Sequence, residues 1–179
     1  MNYLNTFRIP YIGLKLGQHI FEFEINKLFF NEYEYSIVKD GDLKAIVTIE
    51  KQETLMLVNF DIEGFVKLSC DLCLNNFPSK CHIEEKLIVK FTDNEEVNEQ
   101  SEEILVLTKK DYEFDIASLI YEYINLAIPF NNRCEDPGNT AACDREMIKK
   151  LETLSSDQNN DEKSKTDPRW EALNKIKKQ

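Results

Sequence analysis

Along the first half of the chain, apolar and polar side chains alternate with a regularity that returns in segment after segment. From residue 43 the period is two: Leu43, Ala45, Val47 and Ile49 share one side, and Lys44, Thr48 and Glu50 the other. Successive side chains of a strand point to opposite faces, so this spacing predicts a strand with one buried face. Met56, Val58, Phe60 and Ile62 repeat the pattern, and Val66 and Leu68 resume it beyond Gly64. Asn59, Asp61, Glu63 and Lys67 fall on the wet side. Ile83, Leu87, Val89 and Phe91 mark a further strand, and residues 19–25 alternate in the same way. Residues 26–33 are expected to turn once or twice as helix. The strands together predict an antiparallel meander.

Beyond residue 91 the period changes. Residues 92–102 are polar and acidic and read as a loop, and Ile104, Leu105, Val106 and Leu107 make a short apolar strand. Ile116, Leu119, Ile120, Tyr123, Ile124 and Ala127 then recur at helical spacing, with Asp115 placed to cap and Pro129 to stop the helix. This helix should cover the sheet. A second helix is expected over 144–154. Residues 155–166 contain no apolar side chain and read as a disordered linker. Structure should restart at 167–179, where Asp167 can cap, Pro168 suits the first helical position, and Trp170, Leu173 and Ile176 lie three residues apart. A lone tryptophan on such a segment predicts docking, on the chain's own domain in preference to a partner. The fold class is therefore α+β: one β-rich domain over 1–154, a linker over 155–166 and a helical tail over 167–179.

The 179 residues, 42% hydrophobic and 31% charged, suit a single soluble domain. No run approaches the eighteen apolar residues of a membrane span, and the first residues lack the basic and apolar regions of a signal peptide. A cytoplasmic protein with reduced cysteines is expected; five cysteines, an odd number, also argue against a disulfide framework. The net charge of -11 opposes non-specific binding to nucleic acid. It is uneven, however. Residues 92–115 hold nine acidic side chains against Lys109 and Lys110, whereas 167–179 hold Arg169, Lys175, Lys177 and Lys178 against Asp167 and Glu171. The ordinary reading of the acidic run is a solvated loop; direct contact with RNA is expected at the tail or around a metal knuckle.

The chemistry centres on Cys70-Asp71-Leu72-Cys73, where a strand ends in a turn marked by Asn75, Asn76 and Pro78. Two thiolates at this spacing can chelate one metal ion. Cys134 and Cys143 would complete a tetrahedral zinc set and pin the C-terminal third of the chain to the sheet. Cys81 and His82 offer a local alternative as third and fourth ligands. Against that, Cys81 shares the inward face with Ile83 and Leu87 and reads as core, with His82 turned to solvent. A thiol-disulfide redox site would need the first cysteine at a helix N-terminus, and no such pattern surrounds Cys70. There is no Gly-rich phosphate loop, and His19 and His82 suggest no catalytic triad. Paired carboxylates abound only in the acidic loop, where mobility spoils general acid–base geometry.

These elements in this order resemble one family. The strand entering Cys70-Asp71-Leu72-Cys73, followed by Phe77, is similar to the cysteine signature of the YceD family, the large ribosomal RNA subunit accumulation proteins. The helix from Asp115 to Pro129 resembles that family's acidic helix ending in a Leu-Ala-Leu-Pro element. Cys134 and Cys143 follow at about its spacing, and Asp167-Pro168-Arg169-Trp170 with Leu173 resembles its closing motif. The resemblance implies a non-enzymatic role in the synthesis, processing or stability of large-subunit ribosomal RNA. The expected partner is that RNA or a large-subunit ribosomal protein, reached through Arg169, Trp170, Lys175, Lys177 and Lys178 or held by the acidic surface. No small-molecule substrate or membrane is implied. Many relatives carry a second Cys-x-x-Cys downstream, whereas this chain keeps only Cys134 and Cys143. Two readings of the thiols follow: metal ligands, or buried thiols inherited from metal-binding relatives.

Overall fold

The computed structural model describes residues 3–92, 104–108, 111–137, 139 and 142–158. Its elements are β1 (Arg8–Ile9), β2 (Gly17–Ile25), α1 (Lys27–Asn31), β3 (Gly41–Lys51), β4 (Leu55–Ser69), β5 (Asn76–Thr92), β6 (Ile104–Thr108), β7 (Phe114–Asp115), α2 (Ala117–Leu126) and α3 (Arg145–Gln158). The five-stranded sheet has the order β2-β3-β4-β5-β6, and its first four strands are successive antiparallel neighbours. This is the α+β fold expected of the alternation.

The period-two positions behave as the pattern requires. Leu43, Ala45, Val47 and Ile49 of β3, Met56, Val58, Phe60 and Ile62 of β4, and Ile83, Leu87 and Val89 of β5 are all buried on one face. Each of these side chains larger than Ala45 contributes roughly 1.5–3 kcal/mol on leaving water. The phase holds through Gly64, so Val66 and Leu68 stay on the buried side. Glycine is required there: φ is +148°, and a Cβ would collide with the carbonyl oxygen of Asp42.

The helices close the buried face. α1 contributes Phe29 and Phe30, and Ile116, Ile120 and Ile124 line the inner side of α2. Phe60 meets Tyr123 edge-on at 5.2 Å between ring centroids, and Tyr33 stacks on Tyr121 at 3.9 Å. Asp115 starts α2 as expected, its Oδ1 accepting from the Ala117 N–H at 2.9 Å. The β1–β7 pair anchors the N-terminus beside α2, with Arg8 opposite Asp115.

Three details differ from the pattern. β6 runs parallel to β5, with Ile104 opposite Ile88, and is not a continuation of the meander. Alternation reports which face is buried and not strand direction; a parallel return needs a longer connection, which the residues between 92 and 104 supply. Ala127 is exposed although it keeps the helical turn, its N–H donating to the Tyr123 carbonyl at 3.0 Å: the core does not reach the C-terminal end of α2. α3 starts near the expected place, with Asp144 Oδ1 accepting from the Glu146 N–H at 2.8 Å, but continues to Gln158. Its last four residues fall where the linker was expected; extending an existing helix adds a hydrogen bond per residue and needs no apolar side chain. The rest of that segment lies outside the described residues, as do most of the acidic run and the tail with Arg169, Trp170, Lys175, Lys177 and Lys178. No described helix is long and apolar enough to cross a membrane.

Candidate metal centre

β4 and β5 are the longest strands of the sheet, and the six residues between Ser69 and Asn76 close their hairpin. The Leu74 N–H donates to the Cys70 carbonyl and the Cys70 N–H to the Asn75 carbonyl, both at 2.9 Å. Curling the chain this tightly puts Leu74 at φ 61°, the left-handed region, where it is alone among the described non-glycine residues. Such a conformation costs about 1–3 kcal/mol and persists only when its surroundings impose it. The reward is positional: the curl turns the sulfurs of Cys70 and Cys73 to the same side.

The other two thiols arrive from beyond α2. Cys134 sits in the loop after that helix, and Cys143 lies just before α3. All four side chains are buried, and their Sγ atoms lie within 4.8 Å of one another. Cys70 Sγ is 3.8 Å from that of Cys143, and Cys73 Sγ is 3.6 Å from that of Cys134. A tetrahedron of sulfurs about 2.3 Å from a central zinc has edges of about 3.8 Å. The cluster therefore has the donor set and size for one tetrahedral ion, and the four residues could bind a metal. None of the five cysteines is in a disulfide.

One side chain, that of Asp71, ties the halves of the cluster together. Asp71 donates its N–H to the Asn132 carbonyl at 2.8 Å, while its Oδ2 accepts from the Asn132 N–H at 2.6 Å. This reciprocal clasp fastens the hairpin turn to the segment entering Cys134. Asp136 and Asn139 shape the loop itself: Asp136 Oδ2 accepts from the Arg133 N–H at 2.9 Å, and Asn139 Nδ2 donates to the Arg133 carbonyl at 2.8 Å. Sequence reading missed these residues. An aspartate inside the turn is a recognisable turn-former, but its bond to Asn132 spans sixty-one positions and has no local signal.

Burial pushes the Cys70 thiol up, but the N–H groups of Cys73, Cys134 and Leu72 aimed at its sulfur, with the Cys134 side chain, outweigh this and bring it to about 6. Burial, reinforced by the Cys70 sulfur, drives Cys134 far up and Cys143 to about 11. Burial thus favours the neutral thiols of Cys134 and Cys143; four thiolates crowded together need a compensating positive ion.

Cys81 lies outside the cluster, buried on the inner face of β5, where burial raises its pKa. His82 is turned outward, with Nε2 3.2 Å from Glu84 and 4.0 Å from Asp61. The local Cys81–His82 ligand set is therefore not formed, and both residues stand where the strand pattern put them. His19 is on β2, its Nε2 2.8 Å from the Lys15 carbonyl. Cys70 follows a strand and not the start of a helix, and its side chain is buried.

The family model described as large ribosomal RNA subunit accumulation protein YceD matches residues 58–177, two thirds of the chain. This chain belongs to the YceD family. The match begins inside β4, takes in all four clustered cysteines and α2, and runs through the basic tail. Neither a curated protein nor a solved structure matches the chain.

Proposed function

We propose that this YceD-family protein is a non-enzymatic cytoplasmic factor on which the accumulation of large-subunit ribosomal RNA depends, and that it holds one zinc ion through Cys70, Cys73, Cys134 and Cys143. The family match over residues 58–177 carries the functional reading, and the four-thiol cluster supports the metal. Four protein sulfurs leave no open position for water or substrate, so a bound zinc would be structural and supply cross-linking, not catalysis. Cys70 and Cys73 would hold it from the β4–β5 hairpin, and Cys134 and Cys143 from the middle and the end of the loop between α2 and α3.

Contact with ribosomal RNA falls to the cations of the tail, Arg169, Lys175, Lys177 and Lys178, together with the knuckle. The net charge of -11 supports a second reading, in which the acidic surface shields a basic large-subunit ribosomal protein during assembly. Salt-sensitive binding to an isolated RNA fragment favours the first, and co-purification with one ribosomal protein the second.

Depletion of the protein tests the functional reading. The expected result is a fall in large-subunit relative to small-subunit ribosomal RNA, with altered large-subunit particles. An unchanged ratio and a normal particle profile overturn it. Metal analysis of protein purified without chelator should return about one zinc per chain; metal-free protein with no uptake from added zinc removes the metal.

A further inference from the structure

The surroundings of α3 change half-way along its length. Met147 and Ile148 on its first turns pack against the core. Leu151 and Leu154 continue the same apolar stripe but stand 41% and 66% exposed. A helical stripe of this kind is stabilised only when something covers it. We propose that its occupant is the chain's own C-terminal segment, residues 167–178, folded back along α3 as an antiparallel helix. The proposal needs neither the metal nor the ribosomal role.

Spacing, length and charge all favour this occupant. Trp170, Leu173 and Ile176 recur every three residues, and Met147, Leu151 and Leu154 every three or four. Three helical residues rise about 4.5 Å, so an antiparallel pair sets Trp170 against Leu154 and Leu173 against Leu151, and brings Ile176 to the edge of the core beside Met147. Packed helices lie about 8–10 Å apart. The nine residues from 159 to 167 have a root-mean-square reach of about 16 Å as a flexible chain. They can therefore make the reversal without being stretched. Tethering at that length corresponds to an effective concentration in the millimolar range, an advantage no free partner shares. The same alignment brings Arg169 near Glu152, and Lys177 and Lys178 near Asp144 and Glu146. Because Cys143 lies immediately before α3, docking would also gather the tail's cations beside the thiol cluster, on a molecule that is otherwise strongly acidic.

The chain has one tryptophan, so its emission reports on position 170 alone. In the full-length protein the emission maximum is expected to be blue-shifted from that of a free indole and unchanged on dilution. Replacing the exposed pair (L151E/L154E) should move it to the free-indole position and raise acrylamide quenching several-fold, while the hydrogen-exchange protection of the strands stays unchanged. The milder L151A/L154A should give an intermediate shift, which separates lost docking from a damaged helix. A free-indole maximum in the unaltered protein, or a maximum unmoved in both variants, overturns the proposal. So does a red shift on dilution, which makes the occupant a second copy. A blue shift that develops only when ribosomal RNA is added makes the occupant a partner and overturns it too.

Discussion

The inner face of β3–β5 and the thiol cluster at the end of the β4–β5 hairpin share a backbone, but different forces hold them. In the sheet, each apolar side chain adds its own increment of burial, and the register is secured at every residue by a partner on the next strand. At the cluster, three separated stretches of chain meet through four sulfurs, the Asp71–Asn132 clasp and a strained turn at Leu74. The first arrangement loses stability in steps as residues are removed. The second is close to all-or-none, because sulfurs crowded within 4.8 Å become a stable ligand set only around a cation.

The largest effect should come from the sheet. Phe60→Ala removes a buried ring that contacts Tyr123 and should cost about 3–5 kcal/mol in chemical denaturation, with or without chelator. A cost that appears only in the presence of metal would erase the contrast between the two regions.

Metal removal should act next, and locally. Stripping with a chelator, or Cys70→Ser, should abolish stoichiometric zinc and expose amides of residues 129–137 and 142–144 to exchange, while β3 and β4 keep their protection. Loss of protection in both would show that the cluster supports the whole fold. Proton competition gives this prediction a sign. Burial holds Cys134 and Cys143 protonated at neutral pH, so binding must release at least those two protons. Affinity should therefore rise by at least about 100-fold per pH unit near neutrality and fall toward acid, where Cys70, at about 6, also takes up a proton. Competition titrations on either side of neutrality check the slope.

The smallest effect sharpens the comparison most. Asp71→Ala should weaken zinc binding about 10- to 100-fold, the usual range for a group that orients metal ligands. Strand protection should not change. Asp71→Asn keeps an oxygen to accept the Asn132 N–H and should recover most of the loss. Equal damage from both variants would mean that the carboxylate charge, and not the clasp, matters.

Much of the sheet was legible because its information is local. Every second residue from Leu43 to Ile49 and from Met56 to Ile62 is apolar, and burial of one face is the direct physical consequence. The spacing of Cys70 and Cys73 was legible for the same reason. The parallel direction of β6 was not, since its side chains alternate identically either way. Nor was the extent of burial along α2, where Ala127 fits the stripe by number and caps the helix yet is exposed.

By itself, then, the sequence determined which residues leave water, where the tight thiol pair lies and, through the family match, what kind of protein this is. Only the tertiary structure decided that Cys134 and Cys143 reach that pair while Cys81 does not, and that Asp71 is tied to Asn132. The reason is physical: periodicity encodes which face of an element is wet, whereas a cluster drawn from positions 70 to 143 depends on how the elements pack, which no spacing along the chain records.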